Sequence, residues 1–126
     1  YLGYAMAALK AKKEKWNDAI VMNQYGRIAD STIANIFLIK NNEIFTPALS
    51  EGCVAGIVRK NLIHFLSNNG WAIKETQICK DQLLNADEVF LTNSIYNIRW
   101  IQQIENSSFG NVVTQKIYSA FIPTIY

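Results

Sequence analysis

Asp30 is the single acid in the run GRIADSTIANIFLIK, and Gly56 opens the helix-like stretch GIVRKNLIHFL that follows. By strand alternation Asp30 shares a face with Ile28, so its carboxylate is aimed at a core or a cleft and needs a partner. With Lys and Arg side chains available, the plain reading is a structural ion pair. The sharper reading is a counter-ion for a protonated ring nitrogen, which makes the ring a better sink for electrons. Gly56, Ile57 and Val58 fall at the first turn of the helix. N–H groups there have no intrahelical acceptor, the dipole favours an anion, and glycine lets a phosphate come close. Together the acid and the helix start suit a phosphorylated ligand with a basic ring nitrogen. A third element is the turn in LTNSIYN, where Asn93, Ser94 and Ile95 offer a second set of amides and a hydroxyl. Its plain reading is a polar turn at a strand end.

Other reactive residue types do not assemble. His64 is flanked by Lys60 and Asn68 at helical spacing and is expected to face water. Ser50, Glu51 and Cys53 share a loop without a placed base, which is no nucleophile signature. Cys53 and Cys79 lie far apart, without CxxC spacing and beside a single histidine. That implies reduced thiols, and neither a metal site nor a disulfide framework.

The elements that must position these residues follow from periodicity. Leu2, Met6 and Leu9 recur at helical spacing with lysines opposite, which predicts an amphipathic helix from Leu2 to Trp16. DAIVMN and RIADS predict two strands joined by a tight hairpin at Gln24, Tyr25 and Gly26. IANIFLIK predicts a buried strand, turned back at Asn41 and Asn42 into EIFTP, so that the front strands form one antiparallel meander. A helix after Gly56 ends at Asn69 and Gly70, and a strand covers Trp71 to Ile78. CKDQLLNADE reads as a short helix, VFLTNS and IRWIQQI as apolar strands, and Val113 to Phe121 as a closing helix. The expected fold class is α/β in the α+β sense: a curved mixed sheet or pseudo-barrel with helices packed on it.

At 126 residues and half apolar, the chain is expected to be one domain spanning 1–126 with a single core. The net charge of +2 and a basic cluster confined to Lys10, Lys12, Lys13 and Lys15 argue against nucleic acid as a partner. No run approaches the roughly 20 apolar residues of a membrane span, and no signal peptide is visible, so a cytoplasmic protein is expected. The sequence starts at Tyr1 inside a periodic segment, without methionine, which suggests the C-terminal part of something longer.

In order and spacing, GRIADSTIANIFLIK, EIFTPALSEGCVAGIVRK and ADEVFLTNSIYNI resemble the C-terminal half of the class IV aminotransferases. These pyridoxal 5'-phosphate enzymes include branched-chain and D-amino acid aminotransferases and 4-amino-4-deoxychorismate lyase. The resemblance spans most of the chain. It implies that Asp30, where glutamate is usual, pairs with the pyridine nitrogen. It also implies that Gly56, Ile57 and Val58 form a phosphate cup, Val58 replacing a common threonine, and that Asn93, Ser94 and Ile95 complete it. Tyr1 falls where a tyrosine of some members approaches the cofactor's ring oxygen. The lysine that forms the Schiff base is expected shortly before Tyr1, and none of the lysines present stands at the matching position. The resemblance therefore implies a parent with an N-terminal half absent from this chain, a homodimer, and an amino acid or aminodeoxychorismate as small-molecule substrate. Asn-Ser in LTNS and the valine at position 58 lean toward the lyase, an aminotransferase being the alternative. A chain without its lysine could also serve as a non-catalytic domain.

Overall fold

A computed structural model describes residues 4–10, 19–31 and 34–125, and side chains from residue 20 onward. Ten strands and three α-helices alternate along it: β1 Tyr4–Lys10, β2 Ala19–Asn23, β3 Ile28–Ser31, β4 Asn35–Lys40 and β5 Glu43–Pro47, then α1 Ile57–Asn68. β6 Ala72–Thr76, α2 Lys80–Leu84, β7 Glu88–Asn93, β8 Asn97–Ile101, the short pair β9 Gln103–Ile104 and β10 Ser107–Ser108, and α3 Val112–Phe121 complete the order.

The segment expected to open the chain as a helix contains a strand. Backbone pairing overrides its periodicity: β1 runs antiparallel to β2, with Ala8, Leu9 and Lys10 opposite Val21, Ile20 and Ala19. An irregularity in register between Tyr4 and Ala8 breaks the two-residue alternation. Such a break lets apolar residues fall three or four apart in a strand, which imitates a helix.

The front strands also do not make one meander. β1, β2 and β3 form one sheet, whereas β4 and β5 join a five-stranded sheet of order β6-β5-β4-β7-β8. The break comes after β3, where the Ser31 N–H and hydroxyl both donate to Ala34 O, at 2.9 and 3.1 Å, and turn the chain away. The β2–β3 hairpin does form, with Gly26 at φ 75°. Asn41 and Asn42 reverse the chain at φ 52° and 64°, a conformation asparagine tolerates better than most residues. IRWIQQI is interrupted at Gln102, giving β8 and β9 rather than one strand.

The five-stranded sheet is mixed because β5 and β6 run parallel, joined by the α1 crossover, while its other pairs are antiparallel. Its two faces bury different cores. Ile36, Leu38, Val89, Leu91 and Ile101 pack with Ile20 and Ile28 of the smaller sheet and Leu83 of α2. Phe37, Phe90, Ile39 and Ile98 pack on the other side against Leu62 and Leu66 of α1 and Ile117 and Phe121 of α3. Phe37 and Phe90 stack at 5.0 Å between ring centres. This second core fixes α1 on the sheet, and so fixes where its N-terminus lies.

Candidate functional site

Asp30 ends up almost wholly buried, at 3% exposure, near the end of β3. Its partners are neutral. Asn35 Nδ2 donates to Oδ1 at 2.9 Å and the Val54 N–H donates to Oδ2 at 2.8 Å. The expected ion pair is absent among the described residues. A cation was not required locally, because two N–H donors already compensate part of the desolvation. The compensation is incomplete: burial pushes the Asp30 carboxyl up to about 7, against the lowering effect of Val54, Asn35 and, more weakly, Arg59. Each oxygen accepts one described hydrogen bond and a carboxylate has about four acceptor positions, so capacity remains for one more donor.

Asn35, which the sequence reading passed over, links the acid to the helix start. Its second Nδ2 hydrogen goes to Val54 O at 2.6 Å. Its Oδ1 lies where a Cβ on Gly56 would collide with it, so Gly56 is required for close approach. The backbone of Gly56 is ordinary (φ −70°, ψ 149°), and steric room alone demands the glycine.

α1 begins at Ile57 with no side-chain cap on its N-terminus and no acid in its first turn. Among the described residues nothing accepts the Ile57 and Val58 N–H groups, which leaves them for an outside acceptor; the Gly56 N–H is not the free donor expected of it, because it donates to Val54 O at 3.0 Å. Arg59 in that same turn is buried. It is 4% exposed and donates from one guanidinium nitrogen to Pro47 O at 3.1 Å and to Glu75 Oε1 at 2.8 Å. Its Nε is buried without a partner among the described residues. Ile57 is 69% exposed, whereas Val58 packs into the core.

β4 brings the second turn to the same end of the sheet, because Asn35 is paired with Thr92 and the turn starts one residue later. There the Asn93 side chain changes the expected donor set. Its Oδ1 accepts the N–H groups of Ile95 and Tyr96 at 2.9 and 3.1 Å, so the Ile95 amide is engaged within the turn. Asparagine at the start of a turn commonly folds back on its own backbone in this way. Ser94 is left as the exposed polar part of the turn. Tyr1 lies outside the described residues.

The loop from Pro47 to Gly56 is held at several points. The Glu51 carboxylate, 4% exposed, pairs with Arg27 Nε and also accepts from Asn23. Cys53 lies 3.6 Å from the carbonyls of Pro47 and Ala48, and burial pushes its thiol up to about 11. It is a protonated packing group and no nucleophile. His64 is exposed, as expected. Among the described residues, no three His, Cys, Asp or Glu side chains gather into a metal site, and no helix is long and apolar enough to cross a membrane.

Pyridoxal phosphate fits this donor set. A buried acid titrating near neutrality can meet a ring N–H, and an uncapped helix start behind a required glycine can meet a dianion.

Comparison with known proteins adds an independent observation. The family described as amino-transferase class IV matches residues 1–104. A provisionally named branched-chain-amino-acid aminotransferase of Synechocystis is 31% identical over 121 residues, which cover 94% of this chain and 40% of that protein. Two solved structures superpose on the same fold. One is a provisionally named 4-amino-4-deoxychorismate lyase of Legionella pneumophila (32% identity, TM-score 0.79, 82% of this chain and 40% of that one). The other is a provisionally named branched-chain amino acid aminotransferase of Thermotoga maritima (26% identity, TM-score 0.83, 91% and 44%). The chain thus spans about two fifths of the length of these relatives.

Proposed function

The chain belongs to the class IV aminotransferase family, and on that premise we propose that it is the cofactor-binding C-terminal part of a pyridoxal 5'-phosphate enzyme. The observation that carries this reading is the assembly at one end of the sheet: Asp30, Asn35 and Gly56 in contact, at the uncapped start of α1.

In this reading, Asp30 accepts a hydrogen bond from the cofactor's ring nitrogen and keeps that nitrogen protonated. The amides of Ile57 and Val58 bind the phosphate while Gly56, whose own N–H is engaged with Val54 O, gives it room; Val58 contributes its amide alone because it has no hydroxyl. Ser94 adds a hydroxyl from the opposite turn. The cofactor supplies an electron sink for the pair left when a bond to the amino-bearing carbon of the substrate breaks. Holding a negative charge at Asp30 strengthens that sink, and the buried, largely neutral surroundings of the carboxylate keep water from screening it.

The substrate reading leans to 4-amino-4-deoxychorismate, with release of pyruvate and 4-aminobenzoate, on the Asn93-Ser94 pair and the valine at position 58. A branched-chain or D-amino acid aminotransferase is the second reading, favoured by the Synechocystis relative's name. The activity would reside in a longer cytoplasmic protein acting as a homodimer, in which a lysine shortly before Tyr1 binds the cofactor covalently.

The test uses that longer protein. Added pyridoxal phosphate should give a visible absorbance band that disappears when the upstream lysine is replaced. Pyruvate release from aminodeoxychorismate supports the lyase, whereas amino transfer to a keto acid selects the aminotransferase. A parent with no lysine shortly before Tyr1 overturns the catalytic reading and leaves a non-catalytic domain.

A further inference from the structure

Asn35 makes two directed hydrogen bonds, and its oxygen occupies the space that a Cβ on Gly56 would need. One Nδ2 hydrogen goes to Asp30 Oδ1 and the other to Val54 O, while Oδ1 packs on Gly56. The Val54 N–H returns to Asp30 Oδ2. The Asp30 carboxylate, the Asn35 amide and the Val54 peptide thus close a ring of three hydrogen bonds. A flipped Asn35 would set its oxygen against two acceptors, so the network itself fixes the orientation.

We infer that Asn35 is a positioning residue, which orients the Asp30 carboxylate and ties it mechanically to the glycine at the start of α1. Asn35 touches no ring or phosphate in this role. It holds both oxygens of Asp30 by way of one donor of its own and the peptide it anchors, and leaves acceptor capacity on the carboxylate. Through Oδ1 it sets how closely the Gly56 backbone approaches β4, and so where the first amides of α1 stand. Its worth to the cofactor rests on the reading of Asp30 and Gly56 given above, but its geometry does not.

The groups that bear on Asp30 are few. Arg59 from α1 lowers its carboxyl weakly, and the neutral Cys53 thiol lies in the loop on the same side. Burial dominates, so the donors on Asp30 are what oppose it. The test is a carbon-detected NMR titration of Asp30 in the cofactor-free longer protein. With Asn35 in place the midpoint should lie near 7, and the amide shifts of Val54 and Gly56 should follow it. Asn35→Ala should raise the midpoint by about one to two pH units, the worth of one donor to a charged acceptor, and should abolish the Gly56 response. A folded Asn35→Ala variant whose Asp30 midpoint is unchanged overturns the inference.

Should Asn35→Ala fail to fold, Asn35→Asp preserves shape but places a second carboxylate beside Asp30. The two acids should then titrate as a coupled pair with widely separated midpoints, and independent ordinary midpoints overturn the inference. Wild type alone gives a third arm, since a Gly56 amide shift flat across the Asp30 titration also overturns it. Because every arm is read without cofactor, failure to bind pyridoxal phosphate sinks the functional reading alone.

Discussion

The two long helices of this chain begin in opposite ways. α3 starts under a carboxylate supplied by the protein. Glu88 of β7, 6% exposed, accepts the N–H groups of Val113 and Thr114 at 2.9 and 2.7 Å and the Thr114 hydroxyl at 2.7 Å. Among the described residues α1 starts with no such acceptor, although the buried acid Asp30 lies one short loop away and binds that loop instead. Both helix starts favour negative charge. At α3 the fold satisfies the demand internally, and that end is closed. At α1, among the described residues, the demand is left open beside an acid with spare acceptor capacity, the arrangement on which the proposed cofactor site rests.

The contrast can be broken most forcefully through pH. The Asp30 carboxyl is raised from an ordinary 3.8 to about 7 in the folded chain. The folded state therefore binds more protons than the unfolded state between those values, and stability falls as pH rises through that window. Its contribution is favourable to folding in acid and is lost above pH 7, an effect of at most about 4 kcal/mol. Urea unfolding from pH 4 to 8 should show this decline, and Asp30→Asn should flatten it. A wild-type chain whose stability does not fall across the window argues that Asp30 is an ordinary ion-paired acid after all. In the longer enzyme, Asp30→Ala should lower turnover far more than stability, and equal losses support the same plain reading.

Glu88→Ala attacks the closed end. It leaves a part-buried N–H, a buried N–H and a buried hydroxyl without this acceptor, and should cost about 3 kcal/mol in urea unfolding without altering affinity for phosphate-bearing ligands. A loss of ligand affinity in that variant would erase the distinction drawn between the two helices.

Gly56→Ala attacks the open end. The new Cβ meets Asn35 Oδ1, so pyridoxal phosphate should bind the longer enzyme about tenfold more weakly, equivalent to about 1.4 kcal/mol. Unchanged affinity by equilibrium titration would mean that the α1 amides are not the phosphate cup. Ser94→Ala should have the smallest effect, roughly a threefold loss of cofactor affinity, since it removes one exposed, neutral donor. A loss as large as that of Gly56→Ala would shift the weight of the cup to the β7–β8 turn.

Much of the candidate site was legible in residue order. Asp30, Gly56 and Ser94 stand out because each type in its local context has few uses, and a two-residue period or a glycine before an apolar helix is a local signal. Asn35 carried no such signal. Within NIFLIK it reads as the polar first residue of a strand, and its importance comes from contacts five, nineteen and twenty-one residues away along the chain. The burial of Arg59 carried no signal either, because nothing local tells that Pro47 and Glu75 will surround it.

The sequence by itself determined most strands of the central sheet, the extent of α1 and α3, the family, and which acid and glycine to propose for the site, all of which depend on local pattern. Tertiary structure alone decided that Tyr4–Lys10 is a strand, that β3 and β4 part into separate sheets, that the Ile95 amide is spent within its own turn, and that Asp30 is held by neutral donors. Each of those outcomes depends on which distant backbone or side-chain group arrives to complete a hydrogen bond. Local periodicity does not contain that information, because every buried donor and acceptor must find a partner somewhere, and only the folded chain says where.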